Sequence, residues 1–99
     1  MTTIEEIAKQ LKDSEKPVAK SFHTTDHFKV LIFGFKKGMK LFDHKAYHPT
    51  KLLVITGEIM YHQDKEAKKL RQYDEVFIPA EAVHKLSALE DSIVLLTQG

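Results

Sequence analysis

Residues 51–64 read KLLVITGEIMYHQD. Two short runs rich in β-branched and apolar residues, 52–56 and 59–62, flank Thr56-Gly57, and that arrangement predicts two strands joined by a turn. The pattern continues outward in both directions. Runs 18–22, 29–35, 75–78, 85–89 and 92–97 have the same character. Turn signals separate them at Thr25-Asp26, Lys37-Gly38, Gln63-Asp64, Pro79-Ala80 and Glu90-Asp91. Many short strands with no helix between them predict an antiparallel sandwich or barrel. Segment 65–71, with its four basic residues, reads as a solvated hairpin loop between strands.

Ahead of the strands, the chain reads as a helix over about 3–13. Thr3 with Glu6 three residues on has the form of a capping box, in which each side chain satisfies a free backbone N–H. Ile4, Ile7, Ala8 and Leu11 then share one face. Glu5, Glu6 and Asp13 on the polar side argue for packing on a sheet or a partner subunit rather than on a membrane.

The 99 residues suit a single domain, 1–99. Hydrophobic residues make up 42% and charged residues 29%, ordinary values for a globular chain. A net charge of +1 supplies no electrostatic reason for nucleic acid or an anionic membrane as partner. With no cysteine, disulfide scaffolds, thiol nucleophiles and thiolate metal sites are excluded. The polar, acidic start has no signal-peptide pattern, and a cytoplasmic protein is expected. There is no Ser-His-Asp order and no glycine-rich phosphate loop.

Six histidines stand out in so short a chain. His44 and His48 lie around the bend 43–49, and His84 follows the strand-and-turn 76–83. Neutral imidazoles suit divalent transition metals, and adjacency of the strands bearing His44 and His84 would bring two or three of them together. The simpler reading of His48 is a surface or subunit-contact residue beside Pro49. His23 and His27 flank a predicted hairpin turn and are expected in solvent. His62 sits at a strand end. Tyr61, His62 and Phe77 are the candidate lining of a ligand cavity; Tyr47, Tyr61, Tyr73, Phe33, Phe35, Phe42 and Phe77 together read as cavity lining or, more simply, as barrel core, some in both roles, and Met39 and Met60 as core filling.

Gly38-x5-His44, ending at Gly57, and Pro79-x4-His84 together resemble the two motifs of the cupin superfamily, G-x5-H-x-H-x3-E-x6-G and G-x5-P-x-G-x2-H-x3-N. The likeness covers roughly residues 18 to 97, with a short segment between the motifs, as in small microbial single-domain cupins. It implies an all-β, cupin-type antiparallel β-barrel or jelly roll, with one short N-terminal α-helix. The departures are specific. The family's second histidine falls on Ala46 and its glutamate on Thr50, Tyr73 and Glu81 stand at two glycine positions, and Ala88 replaces the asparagine. By resemblance His44 and His84 are metal ligands; His48 is added from the residues alone. Glu81, near His84, is a solvated turn residue or a stand-in carboxylate.

Two functions are expected from this reading. The first is a small stand-alone cupin that holds a small polar molecule in its barrel, with no metal or with one bound weakly. The alternative is a metal-dependent enzyme of isomerase, lyase or dioxygenase type, with Zn, Ni, Mn or Fe on His44, His84 and His48. A homodimer through the helix and the first strand accompanies either.

Overall fold

A computed structural model describes residues 1–45 and 47–99, with the backbone alone for residues 42–45. Helix α1 (Thr3–Leu11) is followed by strands β1 (Val18–Thr24), β2 (Lys29–Phe35), β3 (Lys40–Lys45), β4 (Thr50–Thr56), β5 (Glu58–Gln63), β6 (Glu66–Arg71), β7 (Glu75–Ile78), β8 (Val83–Ala88) and β9 (Ser92–Gln98). They form a five-stranded sheet in the order β1-β2-β9-β4-β7 and a four-stranded sheet in the order β3-β8-β5-β6. Every pairing is antiparallel. The two sheets pack face to face as a jelly roll, the expected all-β architecture with one short helix.

Alternation along the strands builds the core. Phe35 of β2, Leu52 and Val54 of β4, Ile59 and Tyr61 of β5, Leu86 of β8, and Val94 and Leu96 of β9 point between the sheets, where they are buried. Residues one step out of phase on the five-stranded sheet face outward, and α1 covers part of them. Ile7 and Leu11 pack on Ile32, with Val18, Ile93 and Leu95 around them. Fully burying an aliphatic side chain such as Ile7 contributes about 1.5–3 kcal/mol, enough to hold a nine-residue helix that would be marginal alone. Lys20 of β1 adds a 3.6 Å ion pair to Glu6, a small contribution at a partly solvated site.

Four expectations need correction. The capping box is one residue earlier than predicted: Thr2 is the N-cap, its hydroxyl accepts from the Glu5 N–H at 3.2 Å, and Glu5 Oε1 accepts from the Thr2 N–H at 2.9 Å. Thr2-Thr3 and Glu5-Glu6 offer the box in two frames, and the first is the one formed. That Thr2 backbone bond, then the hydroxyl bond, holds the Glu5 carboxyl below its ordinary range. The helix itself ends at Leu11 rather than near 13. The segment 65–71 is not a loop, because Glu66–Arg71 is a strand paired to β5 along its whole length. Only Leu70 is buried in it, and charged side chains are normal on a sheet edge. The bend expected around His44 begins later, since β3 carries the chain through Lys45.

Candidate site at the polar end of the four-stranded sheet

The ladders of the four-stranded sheet set side chains in cross-strand rows. Ile59 of β5 lies between Ala88 of β8 and Leu70 of β6, all three buried. One step along, Tyr61 lies between Leu86 and Lys68. At the next step Gln63 lies between His84 and Glu66. The inner face thus passes from wholly apolar to wholly polar within three rows, and residue 44 extends the last row, because His44 is the backbone partner of His84 in the β3–β8 ladder. The condition posed by the sequence, adjacency of the two histidine strands, is met.

Tyr61 is 5% exposed. Its hydroxyl donates to Gln63 Oε1, and its ring lies 6.1 Å from that of His84. Burial first, then the charge of Asp64, pushes the phenol above its ordinary 10.0. His84 is 3% exposed, and its Nδ1 lies 3.2 Å from the Ala82 carbonyl. A carbonyl only accepts, so Nδ1 is the nitrogen that donates in this contact. Tyr61 and Gln63 also wall a cavity of about 490 Å3 that opens between β6 and β7, with Glu66, Lys68 and Val76 around it. A cation, an anion, an amide and a phenol therefore line one space, with Ala67 and Val76 beside them.

The predicted site residues divide. Tyr61 lines this cavity. Phe77 does not: it is 61% exposed on the outer face, where its backbone pairs with Lys51. Nor does His62, which strand alternation turns to the face opposite Tyr61. His48 is exposed beyond β3, and its carbonyl accepts from the Thr50 hydroxyl at 3.2 Å. The side chain of His44 and all of Ala46 lie outside the described residues. His23 and His27 are exposed, as expected for a hairpin tip. Glu81 is an exposed turn residue with φ 66. Gln63, Glu66 and Lys68 were missed by the sequence reading. Extending the alternation of Ile59 and Tyr61 by one step would have found Gln63, whereas Glu66 and Lys68 carry no local sign of facing a cavity.

The cupin motif implies a metal on three histidines and a glutamate. The donor set here does not fit that arrangement. Ala46 offers no ligand atom, and Thr50, at the glutamate position, is buried with its hydroxyl donated to His48. Among the described residues no three His, Cys, Asp or Glu side chains group as a metal site. What the ladder retains is the pair of positions 44 and 84.

Comparison with solved structures shows the cupin fold. The chain is similar to a cupin superfamily protein from Desulfitobacterium hafniense (TM-score 0.81, 18% identity, 86% of this chain and 78% of that one). It is similar to KdgF from Halomonas sp. (TM-score 0.79, 23% identity, 86% and 80%). It also matches salicylate 1,2-dioxygenase from Pseudoaminobacter salicylatoxidans (TM-score 0.88, 14% identity), with 97% of this chain aligned to only 31% of that enzyme. No family model and no curated protein sequence matches. No helix among the described residues is long and apolar enough to cross a membrane.

Proposed function

We propose that this cupin-fold domain binds a small polar molecule, a sugar or similar polyhydroxylated metabolite, at the Tyr61–Gln63 end of its sandwich. The observation behind this reading is the buried Tyr61 hydroxyl bonded to Gln63 at the wall of the 490 Å3 cavity. A cavity of this size suits a ligand of metabolite dimensions, and convergent polar groups are what fix a ligand's orientation in such sites. Lys68 and Glu66 supply one charge of each sign at the entrance, a combination that favours hydroxyl-rich molecules over strongly charged ones. A cytoplasmic setting goes with this reading. So does a homodimer through α1 and β1, where Phe22 stands exposed at the bulge in the edge strand; native mass spectrometry that finds only monomer removes that element.

The test is a ligand screen of monosaccharides and sugar acids by NMR. A true ligand perturbs the amides of Tyr61, Gln63 and Lys68, and Gln63→Ala weakens it about tenfold, the effect of one lost polar contact. If no member of the screen shifts these amides at millimolar concentration, the reading fails.

The backbone pairing of His44 with His84 favours a second reading: a metal-dependent enzyme of isomerase, lyase or dioxygenase type. Salicylate 1,2-dioxygenase shares the fold. Incubation of untagged protein with Zn, Ni, Mn and Fe, followed by elemental analysis, tests it. Stoichiometric metal that is lost in His44→Ala and His84→Ala supports the enzyme, and absence of metal in wild-type protein sinks it.

A further inference from the structure

A second concavity lies at the other end of β3. Lys40 pairs with Ser87 and Leu41 with Leu86, so this end is separated along β8 from the row of His84. One wall is the α1–β1 linker and the other is the β2–β3 turn, and together they enclose a groove of about 930 Å3. Phe33, Met39 and Leu41 form its apolar floor, while Lys16, Lys37 and Lys40 stand on its rim.

Both walls are held by hydrogen bonds. In the linker, Ser14 Oγ donates to the Lys16 carbonyl at 2.7 Å and accepts the Lys16 N–H at 3.1 Å. In the turn, the Met39 N–H donates to the Lys36 carbonyl at 3.0 Å, and the Lys37 N–H donates to Asp91 Oδ1 at 2.8 Å. Gly38, at φ +90, lets the turn close.

The charge is unbalanced. Lys36 also lines the groove, but its ammonium lies 3.5 Å from the Lys12 carbonyl at the end of α1, where a cation suits the helix dipole. Among the described residues none of Lys16, Lys36, Lys37 and Lys40 pairs with a carboxylate, and the lining includes a single acidic residue, Glu15. Three ammonium groups thus surround an apolar floor.

We propose that this groove binds a small amphipathic anion, a carboxylate head on an unbranched or aromatic hydrocarbon body. The head would sit among Lys16, Lys37 and Lys40, and the body would cover Phe33, Met39 and Leu41. This site is independent of the polar cavity at Tyr61 and stands or falls separately.

Titration calorimetry and NMR with octanoate, octanol and acetate test it. Octanoate is expected to bind about tenfold more tightly than octanol, because only the carboxylate gains charge-assisted bonds, and acetate is expected to bind far more weakly for want of a body. Shifts should map to Phe33 and residues 37–41, not to Tyr61. Lys37→Gln with Lys40→Gln, both exposed positions, should erase the preference for octanoate over octanol while leaving octanol unchanged. Equal binding of octanoate and octanol, or no binding at millimolar concentration, overturns the proposal. So does retention on phosphatidylglycerol vesicles without octanoate binding, which would make the occupant a membrane surface. Cross-linking of Lys37 or Lys40 to a second copy overturns it as well.

Discussion

A Cβ atom placed on Gly34 would lie 2.3 Å from Cγ2 of Ile7. Strand β2 and helix α1 therefore touch through the one residue type that leaves room, and Leu11 Cδ1, at 2.8 Å, closes the other side. Gly34→Ala should push the helix off the sheet at a cost of about 1–3 kcal/mol, the range for overpacking, against a strand-propensity gain of about 0.5–1 kcal/mol. Ile7→Ala alone should cost about 2–5 kcal/mol. Urea unfolding of both single variants and the double variant checks the contact. The double variant should be more stable than the sum of the singles implies by about 0.5–3 kcal/mol, as expected for residues in contact. Strict additivity would show that the helix does not sit on Gly34.

Gly57 and Gly38 separate backbone strain from packing. Both have positive φ, at +94 and +90, but a Cβ on Gly57 would lie 2.2 Å from Ser92 Oγ and 2.4 Å from the Asp91 carbonyl, whereas one on Gly38 meets nothing within 4 Å. Gly38→Ala should cost about 1–2 kcal/mol from backbone conformation alone. Gly57→Ala adds a collision with a hydroxyl that the Glu58 N–H uses at 3.0 Å, and should cost at least about 1–3 kcal/mol more. Thermal denaturation of the two variants orders them; equal losses would refute the packing contribution.

Tyr73 and Glu81 occupy left-handed backbone, at φ 71 and 66, at the two positions where the cupin motif has glycine. Both turns here place a non-glycine residue in a conformation that favours glycine. Because an L-residue there costs about 1–2 kcal/mol and glycine adds about 0.5–1 kcal/mol of unfolded-state entropy, Tyr73→Gly and Glu81→Gly should each stabilise by about 0.5–1 kcal/mol. Calorimetry should register each as a rise of a few degrees, given about 4–8 °C per kcal/mol for a domain this size. A fall in Tm on either substitution would mean that its exposed side chain contributes contacts outweighing the strain.

The raised pKa of Tyr61 makes alkaline stability a reporter of the candidate site. Folding favours the protonated phenol, so this contribution is whole below pH 10 and is lost as pH rises through the folded-state value. Tyr61→Phe removes the bond to Gln63 and should cost about 0.5–1.5 kcal/mol at pH 8. Above pH 10 the wild type should lose stability that the variant does not, so the gap between them narrows. Urea midpoints from pH 8 to 11 measure it, and parallel curves would show that Tyr61 ionises with equal ease folded and unfolded.

Much of this architecture is legible locally. Runs of β-branched residues ending at Thr56-Gly57 or Glu90-Asp91 become strands and turns because side-chain sterics and backbone preference act over a few residues. The spacing of Gly38, His44, Gly57, Pro79 and His84 carries the jelly roll with it. The helix, too, is visible in the period of Ile7 and Leu11, although Thr2 rather than Thr3 caps it.

What local reading could not reach is decided by register. Glu66–Arg71 looks like a charged loop because an edge strand needs only one buried residue, Leu70, and its partner β5 supplies the rest. His62 and Phe77 are plausible cavity residues by type, yet alternation and pairing turn them outward. Gln63 meets Glu66 across a short hairpin, but their meeting with His84 in one row depends on pairing with a strand far along the chain. Side-chain type and spacing thus determined the strands and their turns. Only the antiparallel ladders, which select a face for every residue at once, decided which polar groups share a cavity and which lysines surround an apolar floor.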